Sequence, residues 1–136
     1  IFAPNNKAFE NAPNILKNEI LSNTFFSQNL FMDHILAKSK SSSDINDMTT
    51  EVTISNKSVK LYKTKSLHIK DMVVIKKDLN ANNGVVHIID CIMFVQPSIQ
   101  DDRLDKETKK QYPVTSCCFE KKEEVSLWKI NFKEKY

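Results

Sequence analysis

The chain keeps a single glycine, Gly84, and sets it in Asn82-Asn83-Gly84-Val85-Val86-His87-Ile88-Ile89-Asp90, where a turn signal runs straight into an apolar stretch. An Asn-Gly pair between apolar segments favours a tight turn, because both residues tolerate positive φ. Ordinary proteins carry about 7% glycine, so keeping only one, here, points to a backbone geometry closed to side chains. From Val85 to Val95 the residues are rich in β-branched and aromatic types without a helix-start signal, which predicts a strand buried on both faces. Alternation along such a strand puts His87 with Val85, Ile89, Cys91 and Met93, and Asp90 on the opposite face with Val86, Ile88 and Ile92. The two therefore form no catalytic dyad. Each is expected to be a buried polar residue satisfied by backbone groups, since leaving one unpaired costs about 1 to 3 kcal/mol.

With 136 residues, 40% hydrophobic and 27% charged, the chain has the size and balance of one globular domain with a modest core. Twenty basic against seventeen acidic residues give a net charge of +3, spread rather than clustered, and aromatics do not interleave with a basic stripe. That pattern leaves no nucleic-acid footprint. No apolar run approaches the roughly 20 residues of a membrane helix, so no membrane-spanning segment is expected. The three cysteines cannot all pair within the chain, and no Cys or His spacing suggests a metal site. Cys91 reads as a small buried hydrophobe; Cys117 and Cys118 are adjacent. No cofactor is implied.

Asn5 or Asn6 is placed to cap a first helix, which Pro13 ends or restarts, and Ile15, Leu16, Ile20 and Leu21 then recur at helical spacing. Ser22 or Asn23 caps a further helix whose Phe25, Phe26, Leu30 and Phe31 form an apolar stripe against a sheet. Lys38 to Asp47, Ser-rich at its centre, reads as a loop. Short strands are expected at Glu51 to Ile54, Ser58 to Tyr62, Leu67 to Lys70 and Met72 to Lys76. Helices followed by short strands make an α+β fold. From Gln100 to Gln111 the chain is mixed-charge with one leucine, Leu104, and reads as a linker or solvated helix. Trp128, Ile130 and Phe132 alternate in a strand-like pattern. The expected division is a domain over 1–97 and a charged linker and C-terminal tail over 98–136.

Asn83 to Phe94 resembles the second signature of the fasciclin domain: asparagine, glycine, two aliphatics, histidine, aliphatics, aspartate and further apolar residues. Ile1-Phe2-Ala3-Pro4-Asn5-Asn6-Lys7-Ala8-Phe9 resembles the first signature, in which a short strand meets a helix after a Phe-Ala-Pro turn. Both stand in the family's order and at roughly its spacing, with Leu30-Phe31-Met32-Asp33-His34-Ile35-Leu36 between them similar to its helix-to-strand junction. The likeness covers Ile1 to about Pro97. Its structural signature residues are Phe2, Ala3, Pro4, Asn83, Gly84, His87 and Asp90. The resemblance implies a fasciclin-like fold, with helices packed on a wedge of short, mostly antiparallel strands. It also implies an N-terminally truncated domain, because the family usually has helices and a strand upstream of the point where Ile1 stands.

By that resemblance to a periostin-like cell-adhesion and extracellular-matrix family, the chain is expected to be a secreted or cell-surface module that binds a receptor, integrins among them, or a matrix protein. No reaction is implied. Two family contact sites have counterparts. Asp33-His34, flanked by Leu30 and by Ile35-Leu36, stands where the family carries a Tyr-His pair, and Asp78-Leu79 matches an Asp-Ile motif before the Asn-Gly turn. The bland alternative is that His34 and Leu36 enter a core strand and that Asp78 braces its own turn.

Two rival functions differ in class. A Cys/His enzyme built on Cys91, His87 or His34 needs an exposed thiol of lowered pKa, which an apolar strand does not offer. No phosphate loop, nucleophile elbow or zinc-binding helix is present either. A glycosaminoglycan-binding surface would use lysines such as Lys57, Lys60, Lys63, Lys65, Lys70, Lys76 and Lys77. Asn56-Lys57-Ser58 is the single Asn-x-Ser/Thr sequence, which makes Asn56 the candidate glycosylation acceptor.

Overall fold

Two asparagines start the helical part of the fold by the same local device. The Asn5 side chain accepts from the Ala8 amide and opens α1 (Asn6–Asn11); the Asn23 side chain accepts from the Phe26 amide and opens α3 (Thr24–Met32). Each satisfies one of the backbone donors a helix start leaves unpaired. Between them lies α2 (Asn14–Ser22), and before them the strand β1 (Phe2–Pro4). The structure, a computed structural model, describes residues 1–12, 14–69 and 72–93. The Pro13, Lys70, Cys117, Cys118 and Trp128 to Phe132 expectations, and the tail assignment over 98–136, lie outside the described residues.

After a short 3-10 turn (Ser42–Asp44) come β2 (Met48–Val52), β3 (Ser58–Lys63), β4 (Leu67–Ile69), β5 (Met72–Val73), β6 (Lys76–Ala81) and β7 (Gly84–Ile89). Strands β2 to β5 form a four-stranded antiparallel meander in chain order. The second sheet has the order β1-β7-β6, with β1 parallel and β6 antiparallel to the central β7. Phe2 and Ile89 from this sheet join Val59, Leu61, Leu67, Ile69 and Met72 from the other, with Ile45, Val74 and Met93, in one buried core. The result is α+β, as the order of patterns predicts.

Four local expectations need correction. The hairpin reverses at Asn82-Asn83, and Gly84 is already the first paired residue of β7, opposite Ala81. Gly84 does not have positive φ, and a methyl group there would meet no atom within 4 Å. The apolar run supplies a strand only as far as Ile89; Asp90 and Cys91 form a bend, so Asp90 is half-buried beyond the strand rather than on its far face. Cys91 is half-buried and disulfide-bonded, not a free hydrophobe. The Phe stripe of α3 is split: Phe26 and Leu30, one turn apart, are buried, while Phe25 and Phe31 are largely exposed.

Candidate functional site

The two sequence-predicted adhesion sites fold into two polar clusters that tie elements together. At the end of α3, Asp33 and His34 are buried. Lys57, itself buried, reaches Asp33 with its Nζ 3.1 Å from each carboxylate oxygen, and the Ser55 hydroxyl donates to Oδ1. Thr53 completes the cluster: its Oγ1 lies 2.8 Å from the Ser55 Oγ and accepts the Lys57 amide at 3.2 Å. Burying an ion pair is costly unless its remaining hydrogen-bonding capacity is met, and here the Ser55 hydroxyl supplies a further donor to the Asp33 carboxylate. This removes Lys57 from any polyanion-binding surface.

His34 bridges three segments. One ring nitrogen, Nδ1, lies 2.8 Å from the Leu30 carbonyl, Nε2 accepts the Met93 amide at 2.7 Å, and the His34 carbonyl accepts the Phe2 amide. Because Nε2 accepts, the proton sits on Nδ1 and is donated to Leu30. Burial lowers the pKa of His34 to about 4 against a smaller upward pull from the Leu30 carbonyl, so the ring is neutral at pH 7. Its neighbours Ile35 and Leu36 are half-buried and pair through their backbone with the end of β2.

The second cluster centres on Asp78, which sits at an irregularity in β6 with φ 58. Its carboxylate accepts the Ser42 amide at 2.7 Å and the Ser42 hydroxyl, fixing the 3-10 turn to the sheet. Desolvation pushes this carboxyl up, but the Ser42 hydrogen bonds and the nearby His87 and Lys77 outweigh it, so its pKa lies below the usual value. The Asp78 amide donates to His87 Nδ1 at 3.2 Å, and His87 Nε2 therefore donates to the Lys40 carbonyl, 2.8 Å away. The buried His87 ring also stacks on Phe2 at a centroid distance of 5.2 Å. Leu79, beside Asp78, is half-buried.

Strand register brings together residues that the sequence does not group. Met48 pairs with Tyr62, Tyr62 with His68, and His68 with Val73, a single row across all four strands of the meander. The Tyr62 and His68 rings stack at 4.5 Å and 4°, with His68 Nε2 near the Thr64 hydroxyl, and Met48 and Val73 at the ends are 63% and 44% exposed. With neighbouring strands about 4.8 Å apart, the row is roughly 15 Å long. Thr50, Val52, Ser58 and Lys60 project from the same face, which carries no carboxylate from the described strands. The opposite faces of β3 and β4 supply the core. Sequence reasoning missed this row. Its one local signal is the alternation of Met48, Thr50 and Val52.

An apolar cavity of about 250 Å³ is lined by Phe2, Phe9, Leu30, Phe31 and Ile92, and its only titratable side chain, His34, uses both ring nitrogens in hydrogen bonds. Cys91, being in a disulfide, offers no thiol. The described residues contain no group of three His, Cys, Asp or Glu side chains able to hold a metal ion. No described helix is long and apolar enough to cross a membrane.

The model of the fasciclin domain matches residues 1–95. The "Uncharacterized protein sll1735" of Synechocystis sp. is 23% identical over 95 residues, covering 70% of this chain and 71% of that protein.

Proposed function

The chain belongs to the fasciclin domain family, whose members are generally adhesion or protein-interaction modules and typically non-catalytic, and on that premise we propose that it is an extracellular module that attaches to a cell-surface receptor or matrix protein. The observation that carries the reading is the outward-facing row Met48-Tyr62-His68-Val73, exposed at its two ends and half-buried at Tyr62 and His68. Aromatic and methionine side chains held in a fixed array on a rigid sheet are suited to protein contact, because they bring large apolar area at little further loss of freedom. An integrin is one receptor of the expected class. The disulfide at Cys91 supports an oxidising compartment.

Within this reading the row is the contact surface, and Asp78-Leu79 is its companion candidate. Asp33 and His34, almost wholly buried, act by holding Ile35 and Leu36 in place. The experiment is attachment of cells to a surface coated with the protein. A Met48→Asp/Val73→Asp double variant should lose attachment while its thermal midpoint stays close to that of the wild type, since exposed substitutions usually shift stability by no more than about 0.5 kcal/mol each. Undiminished attachment by a folded double variant would overturn the assignment of the row. Asp78→Ala/Leu79→Ala is the less clean probe, because Asp78 also holds Ser42.

A further inference from the structure

We infer that Asn56 is a modification site that carries an N-linked oligosaccharide standing over the apolar corner formed by Val52 and Ile54. The inference rests on the extracellular reading for its compartment and on the hairpin between β2 and β3 for its geometry. From Val52 to Ser58 burial alternates: Thr53, Ser55 and Lys57 are buried, whereas Val52, Ile54, Asn56 and Ser58 are exposed. The acceptor asparagine and the serine of its sequence motif thus lie on the outward side, and the residue between them is anchored inward on Asp33.

The turn itself does not need the Asn56 side chain. It is closed by the Asn56 amide donating to the Thr53 carbonyl and by Thr53 and Lys57 pairing through their backbones, both at 2.9 Å, and the Asn56 carboxamide makes no hydrogen bond among the described residues. A φ of 62 explains why asparagine suits this position. It does not explain Ser58, which opens β3 with an exposed side chain. Val52 and Ile54, 42% and 47% exposed, are otherwise unexplained apolar surface at the end of a hairpin.

The donor is a lipid-linked oligosaccharide diphosphate acting in enzyme-catalysed transfer. The Asn56 Nδ2 attacks the anomeric carbon, a C–N bond forms, and the bond from that carbon to the diphosphate oxygen breaks. The diphosphate leaves with the electron pair and the carboxamide loses one proton.

The test is expression of the whole chain behind a cleavable secretion signal in a glycosylating eukaryotic host, with intact mass measured on secreted and retained chains alike. The wild type should carry one glycan, removed by an amidase that leaves aspartate at position 56. Ser58→Ala should carry none, and it is preferred to replacing Asn56 because it leaves the left-handed residue untouched. The bare Ser58→Ala and stripped wild-type proteins should both bind more apolar dye and aggregate at lower concentration than the glycosylated form. A wild type with bare polypeptide mass, a glycan on Ser58→Ala, or equal dye binding with and without the glycan would overturn the inference. Attachment is read separately, because Ser58→Ala keeps the Met48-Val73 row, so failure of the adhesion reading and failure of this site give different results.

Discussion

The His34 ring can tie Met93 to Leu30 only while it is neutral, because a second ring proton would face the Met93 amide donor. An unfolded histidine takes up its proton near pH 6.5, whereas burial delays uptake in the folded state to about pH 4. Stability from the neutral ring is therefore complete above about pH 6.5 and is lost progressively as pH falls toward 4, by roughly 3 kcal/mol in all. Urea titrations between pH 7.5 and 4 should show that slope, and His34→Gln should flatten it. Asp78 acts in a lower window: its depressed pKa gives stability that is present above about pH 3.9 and lost as pH falls through its folded value. Glycine and aspartate exchange the roles the sequence suggests. Gly84→Ala should be neutral or raise the thermal midpoint slightly, since φ is not positive and the space is open. Asp78→Ala should be costly, about 1 to 3 kcal/mol, because it leaves Ser42 donors unmet and keeps a left-handed backbone without a residue suited to it. Thermal melts of the two variants give the ranking.

At the scale of elements, what was legible is what local chemistry decides. Asn5 and Asn23 mark their helix starts because a cap needs only the next few residues, and β3 and β4 begin where Ser58 and Leu67 open apolar alternation. Strand β6 was not legible: Lys76-Lys77-Asp78-Leu79-Asn80-Ala81 has little intrinsic strand preference and is held by its pairing with β7, so tertiary context overrides propensity. The start of β2 moved for a similar reason, with Met48 drawn into pairing by Tyr62. Lys57 reads as a solvated turn residue because its partner, Asp33, is 24 positions away. Lys57→Met should cost about 3 to 5 kcal/mol by stranding the Asp33 charge, and a Lys57→Met/Asp33→Leu double variant should recover much of that loss. Denaturant midpoints of both variants check it. The contact row was illegible on the same ground: no single strand shows it, and only the register of four strands puts Met48, Tyr62, His68 and Val73 in line.

Across the whole molecule, the resemblance of the first and last motifs was informative because those motifs meet: Phe2 pairs with His87 and Pro4 with Ile89. Both sheets feed one core, so far-UV and near-UV signals should disappear in a single coincident transition, and separate midpoints would show that the sheets unfold independently. Lys57 is internal and Lys40 is paired with Glu51, so neither is a free cation for a polyanion. Elution from heparin below physiological salt is expected, and retention above it would favour a polyanion partner.

The parallel pairing of β1 with β7 also fixes how the domain meets mechanical load. Tension entering at Ile1 and leaving beyond Ile89 pulls the two strands in opposite directions along their length. It loads the bonds from the His87 amide to the Ile1 carbonyl and from the Asn5 amide to the Ile89 carbonyl together, in shear. A pair loaded that way cannot be unzipped one bond at a time. The short strand at the beginning of the described chain would therefore share such a pull with β7 through both bonds at once.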